Sequence, residues 1–133
     1  KYVVHTHPNK LIPILSNINF AKIIKKIFKQ YDYCIVPILM PGLDLYDFIS
    51  KQEKKYDIYF LENHGLIING NDIKSTLKLH EEICNLGEIW SKNNITKQLN
   101  RNTTEYLSPD EHIFHGSKSD WYDDMKKIYK IKL

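Results

Sequence analysis

A chain of 133 residues is long enough for one domain around one core, and its 42% hydrophobic and 26% charged residues are ordinary for a globular fold. The net charge is +3, but the lysines are spread along the whole chain and mixed with acids, which argues against a nucleic-acid track and for a solvated surface. With no apolar run long enough to span a bilayer and no secretory signal, the expected setting is cytoplasmic, without a membrane partner.

The chain opens on Tyr2-Val3-Val4, an apolar run expected to be the end of a buried, central β-strand. His5-Thr6-His7-Pro8 follows. Side chains alternate across a strand, so His5 and His7 face one way and Thr6 the other, and two imidazoles on one face can close on one metal ion. Chain ends fray, and a strand bearing such a pair seldom opens a fold. Since the sequence begins at Lys1 without Met, the first part of a larger domain is expected to be missing from it.

Residues 9–16 read as a short helix with Asn9 as a possible cap and Pro13 as an awkward resident. Residues 19–29 carry Phe20, Ile23, Ile24, Ile27 and Phe28, a helical stripe set off by lysines. Residues 33–39 read as a buried strand, Met40-Pro41-Gly42 as a turn, and 42–51 as a helix with Leu45, Phe48 and Ile49 inward and Asp44 and Asp47 outward. A strand at 57–61 runs into Glu62-Asn63-His64-Gly65 and then a short strand at 66–68. The interruption predicts a tight bend, with Gly65 supplying backbone freedom.

Asn69-Gly70-Asn71 reads as a turn, and Asp72 or Asn71 as the cap of a long helix to about Asn93. Its apolar face is expected to hold Ile73, Leu77, His80, Cys84, Gly87 and Trp90. Residues 97–105 read as a polar loop, 105–114 as extended and 120–131 as a terminal helix with Trp121, Tyr122, Met125, Ile128 and Tyr129 on one side. Cys34 and Cys84 lie far apart and in no metal or redox spacing, so both are expected to be reduced core residues.

A catalytic zinc takes three protein ligands and leaves a fourth position for water or substrate, and neutral imidazole is its commonest nitrogen ligand. A lone His-X-His does not define such a site; it needs a third donor. His64, at a strand–bend junction beside a glycine, is the first choice, with His80, His112 and His115 as the others. His80 has a plainer reading as a hydrogen-bonded core histidine, and Asn63 as a turn residue or a donor supporting His64. The lysine pairs at 25–26, 54–55 and 126–127 read as solvated faces.

Three stretches together resemble the class II aldolase/adducin family: Val4-His5-Thr6-His7-Pro8, Met40-Pro41-Gly42-Leu43-Asp44-Leu45, and the run from Phe60 through Glu62-Asn63-His64-Gly65 to Asn69-Gly70. The resemblance spans residues 2–93, with a weaker echo at Leu107-Ser108-Pro109-Asp110, and is nearest to the aldolase half of sugar aldolase/dehydrogenase fusion proteins. It implies an α/β fold, a three-layer α/β/α sandwich around a mostly antiparallel central sheet. Residues 1–133 would then be a single domain, the C-terminal portion of such a fold.

The resemblance also implies that His5, His7 and His64 bind a divalent metal, expected to be zinc. Adducin heads resemble the same fold without this metal set, so an intact set argues for chemistry. The implied activity is that of a zinc-dependent aldolase, a carbon–carbon lyase acting on a sugar phosphate or related hydroxy-ketone through a metal-stabilised enediolate. Relatives of the same family act as ketopentose-phosphate 4-epimerases or methylthioribulose-phosphate dehydratases, and a non-catalytic adducin-like module is the third possibility.

The family's proton-moving glutamate lies upstream of its His-X-His, in a region these residues do not include, and its phosphate-binding loops are also mostly upstream. Glu62 does not match the catalytic position. A homo-oligomer, a tetramer by resemblance, is expected, with a tyrosine borrowed from a neighbouring subunit; Tyr106, Tyr122 and Tyr129 are candidates among which the sequence does not choose.

Overall fold

The computed structural model describes residues 1–17 and 19–94; the readings made for 97–105, 105–114 and 120–131, with His112, His115, Tyr106, Tyr122 and Tyr129, lie outside the described residues. In chain order the elements are β1 (Tyr2–Thr6), α1 (Ile12–Leu15), α2 (Phe20–Ile27), β2 (Tyr33–Val36), α3 (Leu43–Ser50), β3 (Ile58–Leu61), β4 (Gly65–Gly70) and α4 (Ile73–Asn94). The strands form one sheet in the order β1-β4-β3-β2.

β4 runs antiparallel to both β1 and β3, whereas β2 runs parallel to β3. The architecture is therefore mixed α/β and the sheet is mixed, not purely antiparallel. The connections explain this. β3 and β4 are joined by a tight bend, which reverses the chain. β2 and β3 are joined through α3, which carries the chain back to the starting end, as parallel pairing requires.

Alternation along the strands divides the core between two faces. Ile58 and Phe60 of β3 and Leu66 and Ile68 of β4 pack with Leu11, Ile14, Phe20, Ile24, Phe28 and Ile83. On the opposite face Cys34, Val36, Tyr59 and Leu61 pack with Leu45, Phe48 and Ile49 of α3. All four residues of β3 are buried, which is why Ile-Tyr-Phe-Leu shows no polar alternation. Phe60 is fully enclosed and lies 4.7 Å from Phe28 between ring centroids. Each large apolar side chain buried in this way contributes about 1.5–3 kcal/mol. Cys34 and Cys84 are free and buried, and burial pushes both thiols up, away from the reactive thiolate.

Of β1, expected to be the end of a buried central strand, the described residues show one paired edge, that with β4, and Tyr2 and Val3 are 46% and 67% exposed. Three consecutive apolar residues specify an extended chain but not how many of its faces are covered. α1 begins later than the sequence suggests. Asn9 does not cap it; the Pro8 carbonyl instead accepts from the Leu11 and Ile12 N–H groups at 2.8 and 3.2 Å. Pro13 falls in the first turn, where its missing N–H would have had no helical partner, so it fits without strain. The turn expected at residues 69–71 comes later too, since Asn69 and Gly70 remain in β4, opposite Val3 and Tyr2.

Asp72 is the cap of α4: its Oδ2 accepts from the Ser75 N–H at 2.8 Å. Asp72→Ala is expected to cost about 1 kcal/mol, read as a lower urea midpoint at unchanged slope. The buried face of α4 is Thr76, Ile83, Cys84 and Gly87. Ile73 and Leu77, expected inward, are 38% and 50% exposed. The stripe is rotated because Thr76 and Gly87 fit the close approaches to β4 and α1 that a bulkier side chain would block. A Cβ added at Gly87 would sit 2.1 Å from Leu11 Cδ2. Among the described residues no helix is long and apolar enough to cross a membrane.

Candidate metal centre

His5 is the fourth residue of β1 and lies opposite Ile67 in the ladder with β4. Val3 and His5 therefore face the α3 side of the sheet, while Val4 and Thr6 face α4. His7 follows the end of the strand, and its ring returns to the His5 side, as the alternation predicts. His64 arrives from the bend between β3 and β4. That bend is closed by the His64 N–H donating to the Leu61 carbonyl at 3.1 Å and tied to α1 by the Asn63 N–H on the Leu15 carbonyl at 2.9 Å.

The sheet order makes the convergence possible. β1 and β3 flank β4, so the end of β1 and the bend leaving β3 meet at one end of β4. The three imidazole centroids form a near-equilateral triangle: His5–His7 5.0 Å, His5–His64 5.1 Å and His7–His64 4.9 Å. One nitrogen of each lies within 4.8 Å of the other two. His5 Nε2 and His7 Nε2 are 3.2 Å apart. Zinc–nitrogen bonds of about 2.0–2.1 Å in a tetrahedral shell hold neighbouring donors roughly 3.4 Å apart. His5 and His7 already have about that spacing, and His64 offers a third nitrogen within 4.8 Å of both. Each of His5 and His7 is exposed and His64 is buried, so the cluster has a fixed inner donor and two at the solvent side.

One hydrogen bond prepares His5 for coordination. Its Nδ1 lies 3.1 Å from the Leu66 carbonyl oxygen. A carbonyl can only accept, so the proton sits on Nδ1 and the lone pair is left on Nε2, the atom that faces His7. A backbone carbonyl in this role fixes both tautomer and ring orientation in metal-binding histidines.

Gly65 serves the site differently from the sequence expectation. The positive φ in the bend belongs to Asn63, at 50°, a region asparagine enters more readily than most residues. Gly65 supplies space instead. A Cβ there would lie 2.5 Å from the Thr6 carbonyl oxygen, 2.7 Å from His7 Cδ2 and 3.3 Å from His5 Cε1.

Of the other candidates, His80 is not part of the cluster. It lies behind β1, with Nε2 2.6 Å from Thr6 Oγ1, and burial lowers its basicity so that the neutral ring is favoured. The hydrogen bond of its plainer reading is present, but the ring is half-buried and not part of the core. Glu62 is half-buried; burial pushes its carboxyl up, and a hydrogen bond with the Ile38 backbone partly opposes the shift. A cavity of about 620 Å³ opens on the α3 side of the sheet, with Val3, Tyr46, Ile49, Tyr56, Tyr59 and Asn69 among its lining residues. None of the three histidines lines it. Two parts of the site carry no mark in the sequence. The Leu66 carbonyl is a backbone atom, and the clearance at Gly65 cannot be told from the ordinary use of glycine in a bend.

The family model for the class II aldolase and adducin N-terminal domain matches residues 1–91, and the chain belongs to that family. Comparison with curated proteins and with solved structures returned no match.

Proposed function

We propose that this chain is the metal-bearing part of a class II aldolase-like lyase, with His5, His7 and His64 holding one divalent ion, zinc by preference. The observation that carries the reading is the meeting of three imidazoles within 4.8 Å, one of them with its proton placed on the far nitrogen by the Leu66 carbonyl. Three neutral nitrogens suit zinc, whose catalytic sites combine three protein ligands with an open position. Family membership raises the same expectation, since its enzymes are typically metal-dependent.

When bound, such an ion supplies the Lewis acidity that steadies negative charge on the oxygens of a hydroxy-ketone as a carbon–carbon bond breaks. The chain's own residues do the holding. β4 fixes His5 through the ladder and through Leu66, the bend fixes His64, and Gly65 lets the two approach. The acid–base glutamate that the resemblance implies is not among these residues, and Glu62, engaged with Ile38, does not take its place. Apolar clusters with helices on both faces of the sheet support the three-layer sandwich. The single domain, the cytoplasmic setting, the sugar-phosphate or hydroxy-ketone substrate and the homo-oligomer belong to the same proposal.

The test has two stages, on the intact protein. Metal analysis after purification is expected to find one zinc, manganese or cobalt per chain; none would leave a non-catalytic adducin-like module. A panel of ketose phosphates then identifies the reaction. An aldehyde plus a three-carbon fragment establishes the aldolase. A C4 epimer or a dehydrated ketone would replace it with an epimerase or a dehydratase using the same ion.

A further inference from the structure

We infer that His80 is a positioning residue: from α4 it grips the hydroxyl of Thr6 and so sets the placement of the two flanking imidazoles, and with it the tightness of metal binding. The inference rests on the proposed metal site and extends it to a residue on the opposite side of the sheet.

Among the described residues β1 has one neighbour in the sheet, and the ladder to β4 holds it from that side. Its first residues are open to solvent, with Val3 67% exposed, yet its last residues must hold two donors in place. Misplacement of a functional group by about an ångström is enough to spoil a site. A second hold near the histidines, reaching the face they do not use, adds to that ladder.

Thr6 supplies the handle. It sits between His5 and His7, and alternation turns its side chain toward α4 while theirs turn away. Its Oγ1 meets His80 Nε2 at 2.6 Å, a short hydrogen bond across 74 positions of sequence. A shift of Thr6 would carry both imidazoles with it, because each is one residue away.

α4 is a firm anchor. It is 22 residues long, and Ile83, Cys84 and Gly87 lock its inner face into the core. Cys84 Sγ, one turn along the same helix, lies 3.9 Å from the same His80 nitrogen. A neutral imidazole can donate to or accept from a hydroxyl, and burial favours that neutral form. The same helix grips the chain again just past His7: Lys10 Nζ donates to Asn85 Oδ1 at 2.7 Å and pairs with Glu88 at 3.2 Å. Thr6 and Lys10 thus bracket His7-Pro8-Asn9. The Lys10 contacts are exposed, and Thr6–His80 is the part-buried member of the two.

A contact that only supported the fold would lower stability and leave the affinity of the folded protein for zinc unchanged. The deciding measurements are therefore the zinc dissociation constant by chelator competition, the visible spectrum of the cobalt(II) form, and amide exchange across β1 in metal-free protein. Thr6→Val and His80→Leu are each expected to weaken zinc about tenfold, the scale of supporting groups around a metal site. The double variant should lose no more than either single, because both remove one interaction. Thr6→Ser and His80→Gln, which keep a hydrogen-bonding partner, should restore most of the affinity and the native cobalt spectrum.

In the metal-free protein, Thr6→Val should speed amide exchange at residues 4–7 while β3 stays protected. Unchanged zinc affinity in folded Thr6→Val and His80→Leu, or independent additive losses, would overturn the inference. Wild-type protein that takes up no zinc would instead sink the metal reading itself, and unchanged exchange at residues 4–7 would sink the grip of His80 on the strand whatever the metal does.

Discussion

Gly65→Ala is expected to disrupt the cluster more than its size suggests. The added Cβ would lie 2.5 Å from a backbone carbonyl oxygen and 2.7 Å from a ring carbon of His7, closer than packed atoms approach. The first clash is with the main chain, which cannot rotate out of the way. Either the end of β1 moves off β4 or the bend carrying His64 moves off β1. Both responses separate the donors. Overpacking of this kind costs about 1–3 kcal/mol of stability. The loss in zinc affinity is expected to be about 100-fold, at the upper end of what supporting groups around a metal contribute. Chelator competition and a urea melt on the same variant check the two effects separately. A variant that melts lower but binds zinc as tightly as wild type would show that the close approach serves the fold alone.

His64→Ala is expected to remove stoichiometric metal while leaving most of the fold. The ring faces His5 and His7 at about 5 Å, and the bend itself is held by main-chain bonds, His64 N–H to Leu61 and Asn63 N–H to Leu15, which alanine keeps. Removing a donor should cost more than removing a support, so the zinc dissociation constant should rise by well over about 100-fold. Circular dichroism should stay native-like. His5→Ala and His7→Ala should give comparable losses. Full metal occupancy in His64→Ala would show that the third donor lies elsewhere.

The histidine cluster is legible in the sequence because its parts obey local rules. The period of two puts His5 and His7 on one face, and the Asn-His-Gly interruption marks the place where a chain reverses. β3 and β4, α2 and α3 are readable for similar reasons, from runs and stripes whose period does not depend on neighbours. What the sequence hides depends on neighbours. The apolar stripe of α4 can be drawn through Ile73 and Leu77, yet the packed face runs through Thr76 and Ile83, because small residues are needed where the helix crosses β4 and α1. Gly65 suggests conformational freedom in the sequence and provides clearance in the fold. His80 reads as a core residue with a hydrogen bond; the bond is there, but the ring is half-buried, and its partner emerges only once β1 and α4 are placed together.

The pairing of β1 with β4, His5 opposite Ile67 and Thr6 opposite Leu66, has a consequence for how such a centre can vary. Faces of a sheet repeat every second residue. If β1 slipped by one position, the threonine would point to the α3 side and both imidazoles would be pressed against the long helix. A slip of two would restore the handedness of the arrangement but carry the pair past the bend that delivers the third ring. The centre is therefore written into the strand alignment as much as into its side chains, and single-residue insertions or deletions along β1 or β4 are the changes it can least absorb.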